Sequence, residues 1–201
     1  MNQTLTRKQF DILSILAEEK GTLSQRQLGE KSGHSLGTVN RVMQELTELQ
    51  YVTEGEITGA GISALEPYRA KRAIFIAAGF GSRLVPITFN TPKPLVRVHG
   101  QRIIDGLIDA CLDAGINEIY IVRGYLAEQF DQLLYKYPMI RFLENPVYNE
   151  ANNISSAMVA RYMLSNAYVF EADLLISNPK IITKYHYTSD FLAIKKDRTD
   201  D

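Results

Sequence analysis

The sequence predicts an α/β protein with two domains, a small α+β domain over residues 1–66 and a three-layer α/β/α domain over residues 71–201. Two observations predict this organisation. Apolar residues recur at spacings of three and four through the first fifty residues, and two short β-prone pieces follow them. From Arg72 onward, apolar β-branched segments alternate with helical ones, as in βαβ units and parallel sheets.

The composition is that of a soluble globular protein. The 201 residues are 45% hydrophobic and 22% charged, with a net charge of −1, so no overall field attracts the chain to nucleic acid or to an anionic membrane. The apolar runs are shorter than the ~18 residues that a spanning helix needs, and we find no signal-peptide pattern. A single cysteine, Cys111, excludes an internal disulfide. We therefore expect a cytoplasmic protein with no membrane partner.

Three helices and a hairpin are predicted over the first domain. Thr6 can cap a helix that extends to about residue 20, and Ser24 can cap a second helix over residues 25–31. Two short β-prone pieces flank Gly55. A third helix has one apolar stripe, formed by Leu36, Val39, Met43 and Leu46. This order of elements resembles a winged helix-turn-helix module.

The resemblance to that module leaves two roles open for the first domain. The third helix of a DNA-binding winged helix enters the major groove, which makes Ser35, Thr38 and Arg41 the candidate DNA contacts. Against this, residues 1–70 hold seven Lys and Arg and nine Asp and Glu, a net charge of −2. The hairpin also carries Glu54 and Glu56, where a DNA-binding protein would need cations. Dimerisation, as a homodimer, or regulation is the alternative role.

Five strands and four helices are predicted after a connector over residues 64–71. The strands lie near residues 72–78, 118–122, 139–143, 167–171 and 190–195. The helices lie near residues 103–114, 126–136, 153–164 and 178–185. Because the sequence stops directly after the last predicted strand, without a closing helix, we expect the larger domain to be incomplete at its C-terminus.

A glycine-rich turn follows the first strand of the larger domain. The segment runs Ala77-Ala78-Gly79-Phe80-Gly81-Ser82-Arg83, and Lys93, between two prolines, follows ten residues after Arg83. Glycines at the end of a parallel strand let backbone N–H groups approach phosphate oxygens. Leu84 stands where a dinucleotide fingerprint needs a third small residue, and a Walker A Gly-Lys-Ser/Thr ending is absent. A tight turn without a ligand is the remaining structural alternative.

Gly-x-Gly-Ser-Arg followed by Pro-Lys resembles the signature of nucleotidyltransferases that act on sugar phosphates and choline phosphate. Three further segments are similar to bacterial CTP:phosphocholine cytidylyltransferases: Val122–Tyr125, Glu150–Ser156 and Glu171–Asp173. The similarity covers residues 71–201. It implies a Rossmann-like nucleotidyltransferase fold.

The resemblance also assigns roles to individual residues. Nucleotide contact is implied for Ala77, Ala78, Gly79, Phe80, Gly81, Ser82, Arg83, Gly124 and Tyr125. Arg83 would bind the β- and γ-phosphates, and Lys93 would lie near the α-phosphate, so both are catalytic candidates. Asp173 would bind Mg²⁺, with a second metal aspartate expected beyond residue 201. Acceptor contacts are implied for Glu150, Asn152 and Asn153, although Asn153 could instead be a helix cap.

Three functions are compatible with these residues. The first is transfer of a cytidylyl group from CTP to phosphocholine, which forms CDP-choline and releases pyrophosphate. The second keeps the chemistry and changes the acceptor to a sugar 1-phosphate. The third is a winged-helix transcription regulator that senses a nucleotide. An aromatic box for choline would need tyrosines such as Tyr185 and Tyr187, or residues beyond 201.

Overall fold

A computed structural model describes residues 4–19, 22–151, 153–191 and 193, which form two compact units. The N-terminal unit combines Met1–Arg69 with Tyr185–Asp201, and the second unit is Ala70–Lys184. The sequence places Tyr185 and Tyr187 in the larger domain, whereas in the structure both pack in the core of the smaller unit. The N-terminal unit is therefore discontinuous in sequence.

The N-terminal unit contains four α-helices and a two-stranded hairpin. The elements are α1 (Arg7–Glu18), α2 (Gln25–Ser32), α3 (Leu36–Glu48), β1 (Val52–Thr53), β2 (Glu56–Ile57) and α4 (Gly59–Leu65), followed by a 3-10 turn over Glu66–Tyr68. Both predicted caps are confirmed: the hydroxyls of Thr6 and Ser24 accept from the amides of Gln9 and Gln27. Residues 64–71, predicted to be a connector, are largely helical.

The buried face of α3 matches the predicted stripe only in part. Val39, Val42 and Leu46 are buried, whereas Leu36 is 54% exposed and Met43 is half-buried. Leu36 is the first residue of α3, directly after the cap residue Ser35, so it projects past the packed part of the helix. The buried face packs with Phe10, Leu13 and Leu28 in one apolar core, shared by the three helices.

The C-terminal segment that begins at Tyr185, here called the returning segment, contributes to that core. Tyr185 is 6% exposed, and Tyr187 stacks on Tyr68 with ring centroids 5.5 Å apart. The hydroxyl of Tyr187 donates to the carbonyl of Leu5 at 3.2 Å, and Phe10 packs 5.4 Å from its ring. Tyr185 and Tyr187, the sequence's candidates for an aromatic choline box, are therefore core residues of the N-terminal unit.

The second unit is built on a four-stranded parallel sheet. Its elements are β3 (Arg72–Ile76), β4 (Arg97–Val98), β5 (Gln101–Arg102), α5 (Ile103–Asp113), β6 (Glu118–Arg123), β7 (Arg141–Glu144), α6 (Asn153–Val159) and β8 (Ala167–Glu171). The strand order is β7-β6-β3-β8, with every neighbouring pair parallel, while β4 and β5 form a separate hairpin.

The sheet separates two apolar layers, because successive strand residues face opposite sides. On one face, Phe75 and Ile121 pack with Ile108 and Cys111 of α5. On the other face, Ile74 and Val122 pack with residues at the end of α6. The predicted α/β/α layering is confirmed.

The later helices depart from the sequence prediction. Residues 127–135 form a 3-10 helix, and the segment predicted as a helix over 153–164 is α-helical only to Val159, with a 3-10 turn over Arg161–Met163. The helix predicted near 178–185 is a single 3-10 turn over Pro179–Ile181. Of the strand predicted at 190–195, residues 190, 191 and 193 are irregular, and the others lie outside the described residues. In the described residues, no helix has the length and apolarity needed to cross a membrane.

Candidate active site

The carboxyl ends of three parallel strands bring the predicted site residues to one edge of the sheet. Ile76 at the end of β3 is in register with Val122 of β6 and Glu171 of β8. The amide of Ala77 donates to the carbonyl of Val122 at 2.9 Å, which extends the pairing by one residue. The glycine-rich turn and the segments containing Tyr125 and Asp173 therefore leave the sheet side by side, where ligands of α/β proteins bind.

The turn after β3 is shaped by Gly81. Its φ of +64° lies in the left-handed region, and a Cβ there would lie 3.0 Å from side-chain atoms of both Lys93 and Thr88. The carbonyl of Gly81 accepts from the amide of Leu84 at 2.9 Å and from the hydroxyl of Thr88 at 3.0 Å. Only glycine meets both the conformational and the steric requirement without displacement of its neighbours.

The turn presents unpaired backbone donors. Within the described part of the chain, the amides of residues 79–83 donate to no protein acceptor. Backbone N–H groups normally find partners, and a run of such donors around a left-handed residue forms a concave site for an anion. The sequence-predicted loop therefore has the donors that a polyphosphate requires.

Ala77 and Ala78 play a different part from the glycines. Both are buried, and their backbone groups bond to Val122 and Tyr125, respectively. Ala78 nevertheless lines a pocket together with Gly79 and Phe80. These two alanines join the turn to the sheet, while Gly79, Phe80 and Ser82 are exposed.

Lys93 and Asp173, 80 residues apart in sequence, form an ion pair through Nζ and Oδ2. Lys93 begins a 3-10 turn that ends at Leu95, and Asp173 follows β8. Their side chains are 27% and 29% exposed, so the pair is partly withdrawn from water but open to a ligand. Arg83 is exposed, and among the described residues it has no ion pair.

Asp173 is the carboxylate that could hold a metal ion at this edge. The described residues contain no group of three or more His, Cys, Asp or Glu side chains arranged for a metal. Mg²⁺ is commonly bound by one or two carboxylates together with substrate phosphates and water. A single carboxylate beside a glycine-rich turn with unpaired amides fits that donor set.

A pocket of about 370 Å³ opens beside the turn. Its lining residues are Ala78, Gly79, Phe80, Asn145, Tyr148, Asn149, Glu150, Ala151, Asn153, Ser155 and Ser156. Of the three predicted acceptor contacts, Glu150 and Asn153 line it, and Asn152 lies outside the described residues. Asn153 begins α6, and its side-chain Nδ2 donates to Oε1 of Glu171 at 2.9 Å.

Three aromatic rings form a cluster, and two of them, Phe80 and Tyr148, line this pocket. Phe80, which is 46% exposed, lies 5.0 Å from the ring of Tyr125 and 5.4 Å from that of Tyr148. Gly124 makes this packing feasible, because a Cβ there would lie 2.6 Å from Cγ of Tyr148. The Tyr125 hydroxyl can donate to the carbonyl of Thr88 at 3.0 Å or of Phe89 at 3.2 Å.

Sequence reasoning missed three residues of the site. Asn145 is 2% exposed, and its amide donates to the hydroxyls of Ser155 at 2.9 Å and Ser156 at 3.1 Å. It directly follows β7, so the rule that strand ends carry site residues could have found it. Thr88 lies in a short 3-10 turn and Tyr148 in a loop, both without periodicity, and nothing in the sequence marks them.

The candidate DNA contacts lie on and before α3. The hydroxyl of Ser35 caps α3 by accepting from the amide of Thr38, and the two side-chain oxygens are 3.0 Å apart. Arg41 is exposed and pairs with Glu45 one turn later, at 3.6 Å. A surface pair of this kind contributes little to stability, so Arg41 remains available to a phosphate.

Comparison with known proteins adds two family matches. A nucleotidyl transferase model matches residues 72–189, more than half of the chain, and a winged helix-turn-helix DNA-binding model matches residues 5–53. A 2-aminoethylphosphonate cytidylyltransferase from Lancefieldella rimae is 46% identical over 111 residues, which are 54% of this chain and 45% of that protein. A choline-phosphate cytidylyltransferase from Streptococcus pneumoniae is 45% identical over 102 residues, 51% of this chain and 44% of that protein.

A solved structure agrees with these matches. The CTP:phosphocholine cytidylyltransferase from Streptococcus pneumoniae superposes with a TM-score of 0.52 and 42% identity, over 54% of this chain and 47% of that one. The chain thus spans about half the length of the relatives that it matches. With the glycine-rich turn, Lys93 and Asp173 in place at the sheet edge, the chain belongs to the nucleotidyl transferase family and has a winged helix-turn-helix unit before the transferase unit.

Proposed function

We propose that the second unit binds CTP and transfers its cytidylyl group to an acceptor phosphate, with release of pyrophosphate. The observation that carries this proposal is the run of unpaired amides at residues 79–83 beside the Lys93–Asp173 pair. Amide donors and cations at one edge suit a polyphosphate better than any other common metabolite group.

The proposed chemistry needs no general base. An acceptor phosphate is ionised near neutral pH, so its oxygen can attack the α-phosphorus directly. The protein must then align two anions and stabilise the charge that develops on the leaving pyrophosphate. Arg83 is exposed, and its guanidinium can bind two phosphate oxygens at once, which suits the β- and γ-phosphates. Lys93 supplies a compact charge at the reacting centre.

Magnesium is part of this proposal, with Asp173 as its protein ligand. When bound, the ion would neutralise phosphate charge and orient the phosphate oxygens. Because Asp173 already contacts Lys93, the same carboxylate orients the lysine. The pair therefore couples the position of the cationic side chain to that of the metal site.

The acceptor proposed here is phosphocholine, which would give CDP-choline. Support comes from relatives that are named for choline phosphate and for 2-aminoethylphosphonate, since both molecules join a phosphorus oxyanion to a cationic nitrogen. Glu150 and the aromatic rings of Phe80 and Tyr148 at the pocket suit such a cation. Glu150, Asn152 and Asn153 are accordingly proposed as acceptor contacts.

The proposal is tested by pyrophosphate release from CTP, UTP, GTP, ATP or dTTP, each with Mg²⁺ and one acceptor: phosphocholine, 2-aminoethylphosphonate or glucose 1-phosphate. We expect CTP with phosphocholine to be the best pair and chelation of Mg²⁺ to stop turnover. Lys93→Ala should lower the rate about 100-fold or more, because a positioned cation is lost. Lys180→Ala, at an exposed residue of the same unit, is the control and should leave it unchanged.

Three outcomes would contradict parts of this proposal. Full activity in Lys93→Ala would remove Lys93 from the mechanism. Preference for glucose 1-phosphate would replace the acceptor and keep the chemistry. Absence of turnover and of nucleotide binding with a folded protein would refute the transferase proposal itself.

The helix-turn-helix arrangement of α2 and α3 supports a second candidate function, DNA binding that responds to a bound nucleotide. Anisotropy of labelled DNA from the protein's own promoter, measured at two salt concentrations, tests it. Arg41→Ala should weaken binding, whereas Lys8→Ala, on α1 outside the helix pair, should not. Because the N-terminal region has a net charge of −2, we expect few phosphate contacts and a shallow salt dependence. Salt-dependent binding without turnover under any nucleotide would favour the regulator.

A further inference from the structure

One residue, Tyr125, is bonded to both ends of the glycine-rich loop. The amide of Tyr125 donates to the carbonyl of Ala78 at 3.1 Å, directly before the glycine-rich turn. The hydroxyl of the same residue donates to the carbonyl of Thr88 or Phe89, at the far end of the loop. The intervening residues 79–87 are therefore held as a closed loop by a single tyrosine.

Thr88 carries this support to the turn itself. It is 1% exposed, and its hydroxyl donates to the carbonyl of Gly81 at 3.0 Å, while its methyl carbon lies 3.0 Å from the position that a Cβ of Gly81 would take. The Gly81–Ser82 peptide is trans, so its C=O and N–H point in opposite directions. Holding the carbonyl on Thr88 turns the Ser82 amide to the opposite side, into the run of unpaired donors.

Arg123, two residues before Tyr125, makes several polar contacts around the turn. The guanidinium of Arg123 donates to the carbonyl of Ala127 at 3.0 Å and pairs with Asp131 at 2.6 Å and Glu144 at 2.7 Å. Burial alone lowers the pKa of Arg123, but the two carboxylates outweigh burial and raise it. The bond from Arg123 to Ala127 therefore spans the turn that contains Tyr125.

From these contacts we propose that Tyr125 and Thr88 are positioning residues, which orient the amides of residues 79–83 toward the polyphosphate without contacting it. The proposal rests on the proposed function for the identity of the ligand. It replaces the role that the sequence resemblance implies for Tyr125, direct contact with the nucleotide. The Tyr125 hydroxyl proton is already given to a backbone carbonyl, so it is not available to donate to a ligand.

The test uses the 201-residue protein and four single variants. Tyr125→Phe and Thr88→Val each remove one hydroxyl and keep the shape of the side chain, and Thr88→Ser restores the hydroxyl. Tyr135→Phe is the control, because Tyr135 is 94% exposed. The readouts are the Kd of CTP with Mg²⁺, the Kd of inorganic pyrophosphate with Mg²⁺, and hydrogen exchange of the Leu84 and Val85 amides, which donate to carbonyls within the loop.

We expect Tyr125→Phe and Thr88→Val to raise both Kd values about three- to tenfold, the usual effect of losing one hydrogen bond. Exchange of the Leu84 and Val85 amides should quicken while the rest of the protein is unaffected. Thr88→Ser and Tyr135→Phe should resemble the wild type. A Tyr125→Phe/Thr88→Val double variant should have Kd values little higher than those of either single variant, because the two hydroxyls act in series.

Each contrary outcome has a distinct meaning. Unchanged exchange with weakened CTP binding would mean that Tyr125 contacts the ligand, which overturns the positioning role. Faster exchange across the whole unit would reduce both residues to general stability, as would failure of Thr88→Ser to restore binding. Wild-type protein that binds neither CTP nor pyrophosphate would refute the proposed function; hydrogen exchange needs no ligand and would still test the support of the loop.

Discussion

At the scale of single residues, Cys111 shows how position determines chemistry. It lies on the face of α5 that packs against the sheet and is fully buried, which raises the pKa of its thiol to about 12. A thiol in this state is not a nucleophile at neutral pH. Its role is to fill the core, as the apolar stripe of α5 predicts.

The raised pKa has a consequence for stability at high pH. Above pH 9, where the thiol of the unfolded chain ionises, the folded state holds more protons than the unfolded one, so stability falls as pH rises from 9 to 12. The slope contributed by this group is at most about 1.4 kcal/mol per pH unit. Urea unfolding between pH 8 and 10.5 should show a shallower decline in Cys111→Ala than in the wild type.

Part of the decline should survive in that variant. Burial and a hydrogen bond to Asp109 also raise the pKa of Tyr137, which acts in the same direction. Slopes, and not absolute stabilities, are the quantity to compare, since the alanine leaves a small cavity. Identical slopes in the two proteins would contradict burial of the thiol in solution.

The sequence could single out Lys93 and Asp173 as candidate site residues because each carries a local signal: prolines on both sides of the lysine, and the end of an apolar strand before the aspartate. That the two form an ion pair depends on the sheet register, which no local pattern contains. Thr88 illustrates the same limit. Its partner, the Gly81 carbonyl, is a backbone atom, so residue type gives no indication of it.

At the scale of elements, Asn145 connects the end of β7 to α6. Its side chain accepts from the amide of Val147 at 3.1 Å and donates to Ser155 and Ser156. When a buried side-chain amide is removed, its former hydrogen-bond partners are left unsatisfied, which costs about 1–3 kcal/mol. Asn145→Ala should therefore lower the free energy of unfolding of the second unit by about that amount.

Asn149→Ala is the matched control, because Asn149 is an exposed residue of the same pocket wall. Chemical denaturation followed by circular dichroism gives both free energies. Equal stabilities of the two variants would show that Asn145 does not hold α6 against the sheet.

Periodicity identified α5 and the four strands of the sheet, but not the type of the next helical segment. Residues 127–135 have a helical apolar pattern, yet they form a 3-10 helix. The carbonyl of Ala127 is bonded to the Arg123 guanidinium, which removes it from an α-helical ladder. Leu126, with a φ of +48°, begins the segment in a left-handed conformation. Such competition from a side chain just before the helix cannot be read from hydrophobic spacing.

At the scale of the whole molecule, the N-terminal unit depends on residues that follow the transferase unit. Tyr185 is buried in its core, and Tyr187 stacks on Tyr68. The guanidinium carbon of Arg7 lies 5.3 Å from the centre of the Tyr187 ring. A chain that ends at residue 184 should lose these contacts and expose Phe10 and Tyr68. We expect a clearly lower thermal midpoint for the helix-turn-helix unit.

A chain that ends at residue 190 provides the comparison, because it retains both tyrosines and the His186–Asp190 contact. Its thermal midpoint should match that of the full chain. Near-ultraviolet circular dichroism, which reports on packed tyrosines, follows the transition. Equal midpoints for all three chains would show that the returning segment contributes nothing to the small unit.

The discontinuity also orders events during synthesis. The transferase unit, Ala70–Lys184, is inserted between the two pieces of its smaller neighbour. As the nascent polypeptide leaves the ribosome, all of α1, α2 and α3 emerge first but wait more than a hundred codons for Tyr185 and Tyr187. The core of the smaller unit is therefore completed only after Ala70–Lys184 has been translated, although its helices are translated first.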